Sequence, residues 1–348
     1  MKRIFVLVAI LGLAGCAGNY KTTFDHDATP EPITVHVVPV VTKEEMDVQI
    51  QVADSSAASA QFGLIGGLVG AIIDSAVNKR RAIEAERRAE VLRQISGDYS
   101  IINAAHQSAL RVGNHERWEI LTIEEPTSTA GFDDLANDAF EAGDARAIAV
   151  LDFDYALTPA INQVRVNVTQ RIYDREMEKK SGKNRKPRST RIFTYFSPAQ
   201  ELANRPYKDG EKEELIVLLK SGYDERIAAH PDEREDLEKS MEAELKDLEE
   251  STTIPEPIAI QETWTPELLQ GYLDQSIDHV AFMIRHDWEA ATVPEEAERT
   301  EDTISIVNAN GLTMTDKGKD IGRLDANEVY RSQWGNIYSI PVIETADE

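Results

Sequence analysis

Between residues 118 and 173 the apolar spacing changes period twice, and that pattern leaves few topologies open. Trp118 to Ile123 reads as a strand, Phe132 to Ala142 as a helix closed by Gly143, and Ala147 to Tyr155 as a strong strand. Strand, short crossover helix and strand make a βαβ unit, whose two strands are expected to lie parallel with a right-handed connection. After Leu157-Thr158-Pro159, the alternation of Val164, Val166 and Val168 gives a third, antiparallel strand through Tyr173, and Arg191 to Phe196 a fourth. Upstream, Asp98 is expected to cap a helix over Tyr99 to Val112 that Gly113 ends. Residues 98–200 thus read as an αβαββ domain, and the fold class as α+β: a small mixed sheet with a βαβ unit packed by helices.

The flanks add to this sheet and extend beyond it. Ile33 to Val41 is rich in β-branched residues and should be a strand, with Pro39 placing its end at a sheet edge. Asp209 to Glu250 holds sixteen acidic and six basic residues with sparse leucines, so 201–257 reads as one or two long exposed helices broken near His230-Pro231. From 258 to 348 comes an amphipathic helix and then strands. Thr265 is the expected N-cap with Pro266 at N1. Leu269, Tyr272, Leu273, Ile277, Val280, Ala281, Ile284 and Trp288 form one apolar stripe for packing on the sheet. Ile304 to Val307 and Tyr338 to Ile343 read as strands, with turns at Asn308 to Gly311 and at Asp316-Lys317-Gly318, forming a terminal meander or completing the sheet that begins at Ile33.

Charge narrows the function classes. With 37 basic against 62 acidic residues and a net charge of −25, the chain repels nucleic acid, whose binding rests on neutralising phosphates. One stretch runs against the trend: Arg175, Lys179, Lys180, Lys183, Arg185, Lys186 and Arg188 face only Glu176 and Glu178. It suits a solvated hairpin tip that blunts aggregation, or a contact with lipopolysaccharide or lipid phosphate.

The N-terminus speaks to location. Lys2 and Arg3 precede an apolar run from Ile4 to Leu13, too short to span a bilayer as a helix, and then small residues lead to Cys16. Leu13-Ala14-Gly15-Cys16 resembles the lipobox of bacterial lipoproteins, and Cys16 is the chain's only cysteine. The resemblance implies that residues 1–15 are a signal peptide, removed to leave 333 residues, and that Cys16 is acylated with palmitate-type chains. Each buried methylene contributes about 0.8 kcal/mol, so two or three chains hold firmly. In lipoproteins that are sorted onward, aspartate after the cysteine favours inner-membrane retention. Here it is Ala17, so the outer membrane is the expected destination, with the body in the periplasm. Residues 16–32, polar and ending in Pro30 and Pro32, read as the lipidated tether. With one cysteine no internal disulfide can form.

Residues 33–97 carry a second membrane-relevant feature, the run Phe62 to Ile73. Gly63 with Gly67, and Gly66 with Gly70, form two overlapping G-x-x-x-G pairs, which on a helix make a flat groove for close backbone approach. Such glycines cost an isolated helix about 1 kcal/mol each relative to alanine, so the segment needs a partner surface or lipid. It is too short to cross a bilayer. A buried helical hairpin or a helix packed on the protein's own core, a glycine-zipper contact with another subunit, a dip into the bilayer with Lys79, Arg80 and Arg81 at the head groups, and a disordered Gly-rich loop all fit.

Few residues offer chemistry. Asp152 and Asp154 alternate on one strand and share a face, a spacing for acid–base work or cation binding, or for pairing with Arg165 or Arg171. His279 and His286 lie two helical turns apart, about 10 Å, whereas a zinc helix uses an i,i+4 pair. There is no P-loop, no G-x-S-x-G and no G-x-G-x-x-G after a strand. No catalytic residue, metal or cofactor is therefore expected.

A lipobox, a tether, a Gly-rich apolar segment ending in basic residues and a module carrying Leu151-Asp-Phe-Asp-Tyr-Ala-Leu157 resemble, in that order, uncharacterised proteobacterial lipoproteins. Residues 98–173 are also similar in element order to periplasmic α/β domains of the TolB N-terminal kind, a resemblance that implies interaction rather than catalysis. The expected function is a lipid-anchored envelope protein, not an enzyme, acting as a structural, assembly or interaction partner for another protein or its own copies. A membrane-inserting glycine-zipper oligomer and a cryptic hydrolase using Asp152 and Asp154 are the alternatives.

Overall fold

The fold is a computed structural model that describes residues 32–48, 88–97, 99–129, 131–158, 160–176, 186–289, 303–307, 313–332 and 335–342. Its elements run β1 (Ile33–Val40), β2 (Asp47–Val48), α1 (88–96), α2 (Ile101–Val112), β3 (Trp118–Ile123), α3 (Phe132–Ala142), β4 (Ala147–Leu157), β5 (Val164–Asp174) and β6 (Ser189–Phe196). Then follow α4 (Glu211–Ala229), a 3-10 turn, α5 (Arg234–Glu250), α6 (Glu256–Thr263), α7 (Pro266–Glu289), β7 (Thr303–Val307), β8 (Thr313–Leu324), β9 (Asn327–Ser332) and β10 (Ile337–Pro341). The strands form one mixed sheet in the order β3-β1-β4-β5-β6-β10-β9-β8-β7, with β2 pairing the end of β4, so the class is α+β.

The parallel unit is wider than its sequence suggested. β3 and β4 are parallel, but β1 lies between them and pairs with both. The hydrophobic pattern explains this: β1 is buried at nearly every position, whereas β3 is mostly exposed or half-buried and suits an edge. Pro39 accordingly does not mark a sheet edge. Backbone groups of odd-numbered residues in β1 face β3, as Glu124 N donating to Val37 O and Thr127 N to Pro39 O show. The missing Pro39 N–H therefore points where β3 has already ended, and the ladder to β4 loses nothing.

Helices cover both faces. α2 and α7 lie on one, over Val35, Val37, Leu151, Phe153, Val166, Val168, Phe193 and Tyr195; α3 covers Val38, Val40, Ile148 and Val150 on the other. The crossovers β1-α2-β3 and β3-α3-β4 thus run in opposite senses on opposite faces and share one hand. The stripe of α7 buries Leu269, Leu273, Val280 and Ile284 completely. Ala104, Ala105 and Ala109 of α2 keep the two helices close, and Arg285 on α7 donates to the terminal carbonyls of α2 at Val112 and Arg111. Thr265 is the N-cap of α7, its Oγ1 accepting from Leu268 N at 3.2 Å. Ser100, not Asp98, caps α2: its Oγ accepts from Asn103 N.

Trp264, fully buried just before α7, donates Nε1–H to Ile161 O at 2.7 Å. Ile161 has a φ of +58°, which a β-branched residue rarely adopts, and its side chain is itself fully buried. Apolar burial and the indole bond hold that strained turn in place.

The C-terminal strands both form a meander and complete the sheet, β10 pairing in parallel with β6. Asp316-Lys317-Gly318 is not a turn but part of β8; the reversal falls at Asp325, with a φ of +51°, between β8 and β9. There the ladders to β7, through Asp316 and Lys317, and to β9, from Gly318 onward, override the local turn signal, and a bulge interrupts the β9 ladder at Asp320–Gly322. The sheet edge at β3 is blunted: a bulge interrupts its ladder to β1, and Asn114 Oδ1 accepts from Ile120 N.

Candidate functional site

The residues on which the expected membrane role rests, Leu13, Ala14, Gly15 and Cys16, then Gly63, Gly66, Gly67, Gly70, Lys79, Arg80 and Arg81, all lie outside the described residues. The described chain fixes where these segments join the body. The tether meets β1 at Ile33, level with Trp118 at the start of β3. The stretch bearing the glycines leaves after Val48, paired with Leu157 at the far end of β4, and rejoins at α1. Met46, Val48, Ala89 and Leu92 are buried in the main core there. Arg93 pairs with Glu45 at 2.7 Å, and Arg88 grips Glu256 through two bonds of 2.8 and 2.9 Å. The register sets the two junctions about twelve β4 positions apart, or about 40 Å at 3.3 Å per residue. The glycine segment and the tether thus join opposite ends of the sheet.

The carboxylate pair of β4 sits on the face away from α2 and α7. Asp154 receives Arg165 Nη2 at 3.1 Å, and Asp152 faces Arg171 Nη1 at 3.9 Å, each guanidinium two positions along β5 from the residue directly opposite. Arg171 also lies over the Phe132 ring, 3.9 Å from its centroid. Burial pushes Asp152 up to about 6, with Arg171 pulling it down and Asp154 pushing it further up. Arg165, 5% exposed, is held below its ordinary value by burial, against the pull of Asp154 and Asp47. Asp152 can therefore exchange a proton near neutrality, but each carboxylate meets a guanidinium rather than an imidazole or amine.

The two histidines of α7 do not meet. His279 is fully buried beside the Tyr195 ring, its Nδ1 2.8 Å from Ser339 Oγ and its Nε2 3.4 Å from Asp325. Asn327 Nδ2 donates to the same hydroxyl at 3.0 Å, which joins Asn327, Ser339 and His279 in one buried chain. Serine, histidine and aspartate in a row suggest a nucleophilic triad, but the order of exposure is inverted. Ser339 is wholly buried, and solvent reaches only Asp325. This network ties α7 to β10 and to the β8–β9 turn. Burial holds both His279 and His286 below the ordinary histidine value.

A third polar group was hidden from motif reading. Asp287, at the end of α7, is buried against Arg331 at 3.2 Å and Arg191 at 3.9 Å. Gln170 donates to it and accepts from Trp288 Nε1 at 2.6 Å. The signal was a break in phase: Gln170 follows Val164, Val166 and Val168 on the inward side of β5, Arg191 precedes Phe193 and Tyr195 on β6, and Asp287 falls three after Ile284 on the α7 stripe.

The basic stretch after β5 is structural at its ends. Arg175 donates to the carbonyls of Ala145, Phe140 and Gly143, closing α3, and Arg188 pairs with the buried Asp174 at 2.6 Å. Residues 177–185 lie outside the described residues. Among the described residues no three histidine, cysteine or carboxylate side chains gather as metal ligands, and no helix is long and apolar enough to cross a membrane. No protein-family model, curated protein or solved structure matches this chain.

Proposed function

We propose that this chain is held at the periplasmic face of the outer membrane by acyl chains on Cys16, and that it serves there as a structural or assembly partner. The observation that carries this reading is the sole cysteine, placed directly after Leu13-Ala14-Gly15 and the short apolar run. Growth with a labelled fatty acid tests it. Label should enter the protein and be lost in Cys16→Ser, which should also leave the membrane fraction; an unlabelled protein, or unchanged fractionation of the variant, ends the proposal.

The partner contact is proposed at Gly63, Gly66, Gly67 and Gly70. In support, the stretch carrying them joins the body about 40 Å along the sheet from the tether junction, at the opposite end. The alternative, insertion of this segment into the bilayer as an oligomer, draws on the same glycine pairs. It requires the tether or the segment to run back along the body, which seventeen residues at up to about 3.5 Å each can do. Liposome leakage separates the two: insertion predicts that Gly67→Leu with Gly70→Leu abolishes leakage, and no difference removes it. A hydrolase using Asp152 and Asp154 predicts loss of a cellular activity in the double asparagine variant with the fold retained.

A further inference from the structure

The α4–α5 hairpin gives little to the core. Only Tyr223, Leu237 and Leu248 are buried along its two helices. Its root is clamped by Arg205, which forks between Glu211 and Glu262, and by Lys212, which donates to the carbonyls of Glu249 and Ser251. From that root the arm runs along the nineteen residues of α4, about 28 Å at 1.5 Å per residue.

On α4 the run Leu215 to Leu219 is wholly aliphatic. Leu215, Ile216 and Leu219 are half-buried, but Val217 and Leu218 are 65% and 67% exposed. A β-branched residue lowers helix propensity, and exposed aliphatics gain nothing from water, so an acidic solvated arm has no use for this pair. Glu214 lies one turn before it on the same face and Glu225 two turns after, with Glu213 and Asp224 alongside, all exposed.

Charge selects what can cover this face. Residues 209–250 carry sixteen acidic against six basic side chains. A second copy would set one acidic arm against another, and anionic head groups are repelled likewise; a cationic surface is attracted. We propose that the Val217–Leu218 face of α4 docks a cationic amphipathic helix of a partner protein. The aliphatic pair seats its apolar side, and Glu213, Glu214, Asp224 and Glu225 meet its lysines or arginines. This rests on the interaction reading above for the existence of a partner, but not on the acyl anchor.

The test uses the full-length chain in non-ionic detergent and two synthetic fluorescent helices, one of lysine and leucine, one of glutamate and leucine, followed by anisotropy. The lysine peptide should bind and the glutamate peptide should not. Val217→Ser with Leu218→Ser should weaken binding about tenfold with the salt dependence intact, while neutralising the four carboxylates should flatten that dependence. Matched circular dichroism confirms the arm in each variant. Failure of the lysine peptide to bind, or equal affinity in the serine variant, overturns the proposal. So does sedimentation showing that Val217 and Leu218 drive self-association, which makes a second copy the occupant. Crosslinking in intact envelopes separately reads whether any partner exists, so the two failures stay distinct.

Discussion

Asp152→Asn should stabilise this protein at neutral pH. Asp152 is drawn from an ordinary 3.8 to about 6, chiefly by burial, so folding favours its protonated form. The favourable contribution is fully present below the unfolded value and is lost as the pH rises through the folded one; above about 6 the native state holds a poorly solvated charge. At 1.36 kcal/mol per pH unit the displacement corresponds to about 3 kcal/mol as a ceiling. The amide removes that charge at the cost of its attraction to Arg171, which the displacement already includes, leaving an expected gain of about 1–3 kcal/mol. Urea unfolding read by tryptophan fluorescence gives the comparison, because Trp118, Trp264 and Trp288 are all buried. The difference between variant and parent should be near zero around pH 4, grow toward 6 and stay level above. A variant less stable than its parent at pH 7.5, or a difference that does not change with pH, would refute the assignment of burial as the dominant cause.

Other perturbations follow from the packing. Asp287→Asn breaks a buried pairing with Arg331 and Arg191 and should cost about 3–5 kcal/mol in the same unfolding measurement. Trp264→Phe keeps the ring but leaves Ile161 O without its indole donor; a loss of about 1–3 kcal/mol is expected, and a change under 0.5 kcal/mol would show that the strained turn holds without it. Thr265→Ala should remove about 1 kcal/mol through the N-cap of α7. His279, held below its ordinary value by burial, stabilises above about 6.5 and loses that contribution as pH falls. Its slope opposes that of Asp152, so the Asp152→Asn variant should lose stability on acidification more steeply than the parent.

The sequence was most informative where several apolar residues in a row or in phase mark one element. The apolar run of β4, the alternation of Val164, Val166 and Val168 in β5 and the stripe of α7 with its Thr265-Pro266 start placed those elements, because burial and local geometry asked for the same residues. It was least informative where distant strands decide. Nothing local shows that Ile33–Val40 lies between β3 and β4, or that Pro39 is harmless there because its neighbour strand stops short. Asp316-Lys317-Gly318 carries turn chemistry, yet twelve residues of ladder outweigh it. The carboxylates of β4 and their arginine partners were readable from spacing and register. The Asp287 network carries no motif; its one mark in the sequence is polar residues standing in apolar phase.

The anchor is tested most directly by intact mass spectrometry of the protein from native membranes. The mature chain should begin at Cys16 and carry the added mass of a diacylglycerol, with or without an amide-linked third chain. A chain that keeps residues 1–15, or that starts at an unmodified Cys16, would contradict the proposed membrane attachment.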